Sequence, residues 1–173
     1  AAVFEHKRTH HSRVNLVPLT EVAVITFLQR GPGREWTSDQ ISDEDIVINL
    51  LGKQAGEILR GRAKQIEAFV RIARVRVTNP TMVDVKYLAE WLRYTVKQIP
   101  VSGSHTVNRI GRSSLANLRV PLTALEEQEK IGRQVKQVRD ARTQAQGLTA
   151  TFEELEKRLP EKFFDELNWG QAK

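Results

Sequence analysis

From Leu125 to Leu159 the chain has no proline and only two glycines, Gly132 and Gly147. Thr123-Ala124-Leu125-Glu126 has the Thr-x-x-Glu form that opens helices. A helix of about 35 residues would be about 50 Å long, well beyond the usual three to four turns. Its apolar residues are Ile131, Val135, Val138, Ala145, Leu148, Phe152, Leu155 and Leu159. They form a heptad seam in which Arg142 fills the skipped place. Beside Gly147 the phase slips, which reads as a stammer, a kink or a break between two helices. A seam this narrow does not bury itself, and the rest of the chain offers no second long helix. Pairing with another chain is therefore expected; the alternative is a helix laid back on its own domain. Leu159-Pro160 is expected to end the helix, leaving Phe163, Phe164, Leu167 and Trp169 as an apolar cap over residues 161–173.

The preceding residues read as one α+β unit, a compact domain with a β-sheet core over residues 14–122. Val22–Leu28 and Ile46–Leu51 are short, apolar, β-branched runs that suit buried strands, and Phe69–Val77 resumes strand character. In that third run the alternation slips at Ala73-Arg74, which suits a bulge that would place Arg71, Arg74 and Arg76 on one face. After the turn at Asn79-Pro80, Thr81-x-x-Asp84 resembles a capping box, and Val85, Leu88, Leu92 and Val96 recur at helical spacing. Tyr87, Trp91 and Tyr94 lie on the same helix, where packing explains them more simply than base stacking. Gly52, Gly56 and Gly61 punctuate the segment between the second and third strands, and Arg60-Gly61-Arg62 has the look of an exposed loop tip.

Charge supplies the first indication of function. Among 173 residues, 27 Lys and Arg against 21 Asp and Glu leave a net charge of +6, with an isoelectric point near 9.8. That balance is the footprint of a nucleic-acid binder, although a merely basic soluble domain has it too. The charge is unevenly placed. Every charge from Glu35 to Asp45 is negative, so this stretch should face away from phosphate. Lys53, Arg60, Arg62, Lys64, Arg71, Arg74 and Arg76 then face only Glu57 and Glu67. A basic loop feeding a basic strand suits phosphate contact, because neutralised phosphates release counterions. The basic opening over residues 1–13 reads as a loose arm. Its His6 and His10 have metal-ligand spacing but no third ligand.

Several classes are excluded or unsupported. No apolar run is long enough to span a membrane, and without cysteine there is no disulfide, thiolate metal site or thiol nucleophile; a cytoplasmic location fits. No Gly-x4-Gly-Lys-Ser/Thr phosphate loop, Gly-x-Gly-x-x-Gly fingerprint or Gly-x-Ser-x-Gly elbow occurs. Asn79-Pro80-Thr81 lacks the second proline and the aromatic of the amino-methyltransferase box. A non-catalytic protein without cofactor or metal is expected, and an acidic nuclease site is the residual enzymatic alternative.

Several motifs together resemble one family. Val107-Asn108-Arg109-Ile110 leads to Leu115-x-x-Leu118-x-Val120-Pro121-Leu122, then Leu125-Glu126-Glu127-Gln128 and Ile131. Val17-Pro18-Leu19-Thr20-Glu21-Val22-Ala23 and Tyr87-Leu88-x-x-Trp91-Leu92 complete the pattern. Over most of residues 14 to 160 the chain resembles half of a Type I restriction-modification specificity subunit: one target recognition domain plus one conserved helical region. The usual Gly-Asp-x-Leu pattern is lacking around residues 52 to 61, and only one of the family's two recognition domains is present.

The resemblance implies duplex DNA as ligand and methyltransferase subunits, with a restriction subunit as a further partner. It also implies assembly through the helix of residues 123–160 with a second copy or a second half-subunit. Local charge and loop position nominate Lys53, Arg60, Arg62 and Lys64 for phosphates. For bases they nominate Gln29, Arg30, Arg34 and the Ser102–Arg109 loop, with Ser104 and His105. Ile131, Val135, Val138, Leu148, Phe152, Leu155 and Leu159 are nominated for helix pairing. A helical adaptor binding protein or RNA is the competing reading.

Overall fold

The structure, a computed structural model, describes residues 14–61, 64–100 and 109–169; residues 152, 153 and 155–169 are described by backbone alone. The fold is α+β. Strands β1 (Asn15–Pro18) and β6 (Arg119–Leu122) form a two-stranded antiparallel sheet in which Asn15 faces Leu122 and Pro18 faces Arg119. Between them lies a four-stranded antiparallel sheet in the order β2-β5-β3-β4, built from Ala23–Gln29, Arg71–Val77, Ile46–Asn49 and Ile58–Arg60. Helices α1 (Leu19–Val22), α2 (Val85–Val96), α3 (Arg112–Ala116) and α4 (Leu125–Trp169) complete the chain, with a 3-10 turn over Lys64–Ala68.

The larger sheet is buried on both faces, which explains why its strands read as apolar runs. One face carries Ile46, Ile48, Ile58, Ala73 and Val75, packed with Leu88, Leu92 and Val96 of α2 and with Val120 of β6. The other carries Val47 and Ile72, covered by Trp36, Ile41, Ile66 and Phe69. Strict alternation along β5 decides these sides, and the β2–β5 pairing runs without interruption from Ala23↔Val77 to Gln29↔Arg71. The expected bulge at Ala73-Arg74 is therefore absent. Arg74 and Arg76 share a face with Ile72, whereas Arg71 projects on the opposite one.

Both expected capping boxes are corrected. Helix α2 starts a turn later than Thr81 suggested, because Asp84 is the N-cap and its Oδ1 accepts from the Tyr87 amide at 2.8 Å. Thr81 instead donates to Asn79 Oδ1 at 2.7 Å. The Thr123 hydroxyl is buried with no hydrogen-bond partner among the described residues. Gln128 does the work there. Fully buried, it accepts from the Asp84 amide at 3.0 Å and donates to the Met82 and Thr123 carbonyls at 2.9 and 2.8 Å. One side chain thus ties the start of α4 to the start of α2. Four residues on, Gly132 permits close helix contact: a Cβ there would meet the Tyr87 amide nitrogen at 3.0 Å. The Tyr87 hydroxyl donates to the Pro121 carbonyl. Burial, reinforced by the charge of Glu127, holds this phenol above its ordinary pKa and so keeps it a donor.

The compact first unit consequently runs to Arg133 rather than stopping near Leu122. Ile131, nominated for pairing, is partly buried and packs against the domain core. Helix α4 continues unbroken past Gly147 and through Pro160 to Trp169, which corrects the expected stop at Leu159. A proline withholds only one amide from an established helix, and the neighbouring turns carry the chain across.

Replacing Gly132 by leucine should drive a side chain into the Tyr87 backbone and cost about 2 kcal/mol. Gln128→Ala should cost about 1–2 kcal/mol by removing the partner of three part-buried backbone groups. Urea denaturation checks both, and unchanged midpoints would contradict the clamp.

Candidate nucleic-acid interface

The antiparallel order gives the four-stranded sheet two chemically different ends. At one end lie the last residues of β2 and β3 and the first of β5, joined by Arg109, which forms a β-bridge with Leu51. A shallow cleft here is lined by Phe27, Leu28, Gln29, Leu50, Arg71, Arg109, Ile110 and Arg112, with no carboxylate among them. Gln29 and Arg71 are direct cross-strand partners, and Arg71 Nε donates to Gln29 Oε1 at 2.8 Å. Arg112 lies over the Phe27 ring, 4.9 Å from its centre, a contact that steadies an exposed guanidinium. Lys53 is exposed in the turn that follows Leu51.

The opposite end is acidic or neutralised. Asp45 is fully buried and holds Arg76 in a two-pronged ion pair at 2.7 and 2.8 Å. Burial alone would raise the Asp45 carboxyl, but the bonds from Arg76, the Ser42 amide and the Ser42 hydroxyl outweigh it and hold the pKa below its ordinary value. Arg74 donates to the Gln40 carbonyl at 2.7 Å and to Thr26 Oγ1 at 3.2 Å. The acidic stretch from Glu35 to Asp45 therefore folds over the arginine face of β5. Gly61 makes the close turn possible: its φ is +63°, and a Cβ there would lie 2.7 Å from the Asp43 carbonyl oxygen.

The nominated residues are divided between these environments. Gln29, Lys53 and Arg109 lie at the basic end. Arg34 is exposed in the β2–β3 connection. Arg30 is engaged structurally: it donates to the Arg34 and Glu67 carbonyls, both at 2.7 Å, and pairs with the Glu67 carboxylate at 3.4 Å. Arg60 is no loop tip. It pairs with Ile46 in β4 and lines a separate cleft with Glu44, Arg76 and Asp84. Lys64 opens the 3-10 turn. Arg62, Ser102, Ser104 and His105 lie outside the described residues, as does the basic arm of residues 1–13. The sequence marks Arg71 only as part of a basic strand suited to phosphate, together with Arg74 and Arg76, and does not nominate Arg112. Plain period-two alternation separates Arg71 from Arg74 and Arg76, and Arg112 follows Arg109 by three residues across Gly111.

In the second unit, from Gln134 onward, Val135, Val138 and Leu148 are 43%, 71% and 56% exposed. Gln134, Val135, Val138, Arg139 and Arg142 together form a shallow apolar patch. The side chains of Phe152, Leu155 and Leu159 lie outside those described. Among the described residues no helix is long and apolar enough to cross a membrane, and no group of three or more His, Asp or Glu is placed to hold a metal.

No family model and no curated protein matches the chain. Solved structures do. The S subunit of a Type I restriction-modification system from M. genitalium superposes with a TM-score of 0.55 at 16% identity, over 96% of this chain and 48% of that one. A chain from a type I R-M system, described for its complex assembly and conformational transition, gives 0.63 at 18% identity, over 93% and 47%. The HsdS subunit from Thermoanaerobacter tengcongensis gives 0.53 at 18% identity, over 79% and 40%. The chain has the fold of half a Type I specificity subunit. It spans about half the length of the first two neighbours and 40% of the third. Within this fold, β1 and β6 bring the two ends of the α+β unit together beside the start of α4.

Because the Asp45 pKa is lowered on folding, its stabilisation is fully present above the unfolded value of about 4 and is lost as pH falls through the folded value. Asp45→Asn should lower stability by about 2 kcal/mol at neutral pH. It should also flatten the decline in stability as pH falls below about 4. Denaturation across that range reads both effects, and an unaltered acid limb would contradict the pair's role.

Proposed function

We propose that this chain recognises duplex DNA as a half-subunit of specificity in a Type I restriction-modification system. It performs no reaction of its own and acts in the cytoplasm, where its DNA lies. The observation that carries this reading is the carboxylate-free cluster of Gln29, Arg71, Arg109 and Arg112 at one end of the sheet. Three guanidinium groups and an amide can supply both phosphate contacts and base-edge donors. Ser102, Ser104 and His105 precede Arg109 of this cluster in the sequence and are retained as contributors. Lys53 and Arg34 serve as outlying phosphate contacts, with Lys64 and Arg62 retained as further candidates; Arg60 lines the cleft of Glu44, Arg76 and Asp84 and does not lead.

The exposed valines and Leu148 of α4 support the second half of the proposal. This helix pairs with a second copy or a second half-subunit, placing two recognition domains at a set spacing, and the paired helices receive methyltransferase subunits. An isologous pair would read a site with matching halves. The neighbour solved in a type I R-M assembly is consistent with such partners.

Duplex binding measured by fluorescence anisotropy over a range of salt tests the first half. Affinity should fall steeply with salt, and Arg112→Ala should reduce the logarithmic salt slope by about 1. Indifference to duplex DNA at low salt would overturn recognition. Light scattering tests the second half: a dimer at micromolar concentration is expected, dissociated by Val138→Asp. A monomeric unaltered protein would contradict self-pairing.

A further inference from the structure

We infer that the Gln29–Arg71 couple is a guanine reader in which Arg71 makes the base contact and Gln29 is a positioning residue. This rests on the proposed duplex-DNA reading and deepens it.

The chemistry of the pair is fixed by what each group is able to do. Arginine has donors only, so the Gln29 amide must turn its oxygen toward Arg71 Nε, as it does at 2.8 Å. Its Nε2 is thereby turned away, as a donor. The two terminal nitrogens of Arg71 have no partner among the described residues, and no carboxylate lines the cleft to claim them. Toward an incoming ligand the couple therefore offers donors: the planar Nη1–Nη2 fork and an amide NH2.

Each base edge in the major groove meets this differently. Guanine presents two adjacent acceptors, O6 and N7, which suit the fork. Adenine sets an amino donor beside N7, cytosine presents an amino donor, and thymine pairs one acceptor with a methyl group. A free glutamine would favour adenine by combining one acceptor with one donor. Here the oxygen needed by adenine's amino group is committed to Arg71. The β2–β5 register sets both residues directly opposite each other on one sheet face, so the fork is aimed from a rigid element rather than a loop.

Selection from a randomised duplex pool, using the full-length protein, tests this. The unaltered chain should enrich a sequence containing an obligatory guanine. Arg71→Lys keeps the charge but loses the fork. It should lower preference for that guanine by about 10- to 100-fold while leaving the salt dependence intact. Gln29→Ala should loosen the same position, because it frees Arg71 to wander. Uniform weakening by Arg71→Lys with the guanine retained would show a phosphate contact and overturn the proposal. So would a Gln29→Ala effect confined to a different base position. Failure of the unaltered protein to enrich any sequence would overturn the recognition reading itself. Circular dichroism of both variants confirms folding, and either variant alone suffices to decide.

Discussion

The pairing of β5 determines which positive charges are available. Held between β2 and β3 in unbroken antiparallel register, this strand sends Ile72 to one core and Ala73 and Val75 to the other. Its three arginines are distributed by the same alternation. Arg74 and Arg76 fall under the acidic segment, where Asp45 and the Gln40 carbonyl take them up. Arg71 falls at the far end, beside Gln29. A slip by one residue would exchange these roles and expose the apolar side chains at the same time, so burial itself holds the arrangement. Neutralised charge stabilises the fold at one end of the sheet, and a cleft lined by Arg71, Arg109 and Arg112 without a carboxylate stands at the other.

The second constraint is the Gln128 clamp. By satisfying groups on the α2 start and on the β6–α4 connection together, it makes the first turns of α4 part of the α+β unit. Gly132 allows the helices to close around that contact. The helix beyond Gln134 is different in character, with exposed valines on a charged surface. Core packing thus belongs to the first stretch of the helix, and exposed apolar side chains to the next.

The sequence makes some of this legible and hides the rest. Val22–Leu28, Ile46–Leu51 and Phe69–Val77 announce strands because both sheet faces are buried. The long helix is evident from missing breakers and the heptad spacing. The β1–β6 pair is not evident, since four residues containing Pro121 carry little periodic signal. Thr81 and Thr123 both fit a capping pattern, yet Asp84 and Gln128 cap and clamp, because tertiary contacts choose among equivalent local options. The basic run from Lys53 to Arg76 looked like one patch, but the sheet divides it between two ends. Proximity in sequence says little about which carboxylate folds back onto which arginine. Arg71 was obscured by an expected bulge that the continuous β2–β5 ladder does not contain.

Side-chain NMR of the arginine Nε–H groups during titration with duplex DNA tests the division between the two ends most directly. The resonances of Arg71 and Arg112 should move on binding, while those of Arg74 and Arg76 stay in place. Movement of Arg76 with Arg71 unaffected would contradict the account, because it would put the DNA at the acidic end of the sheet.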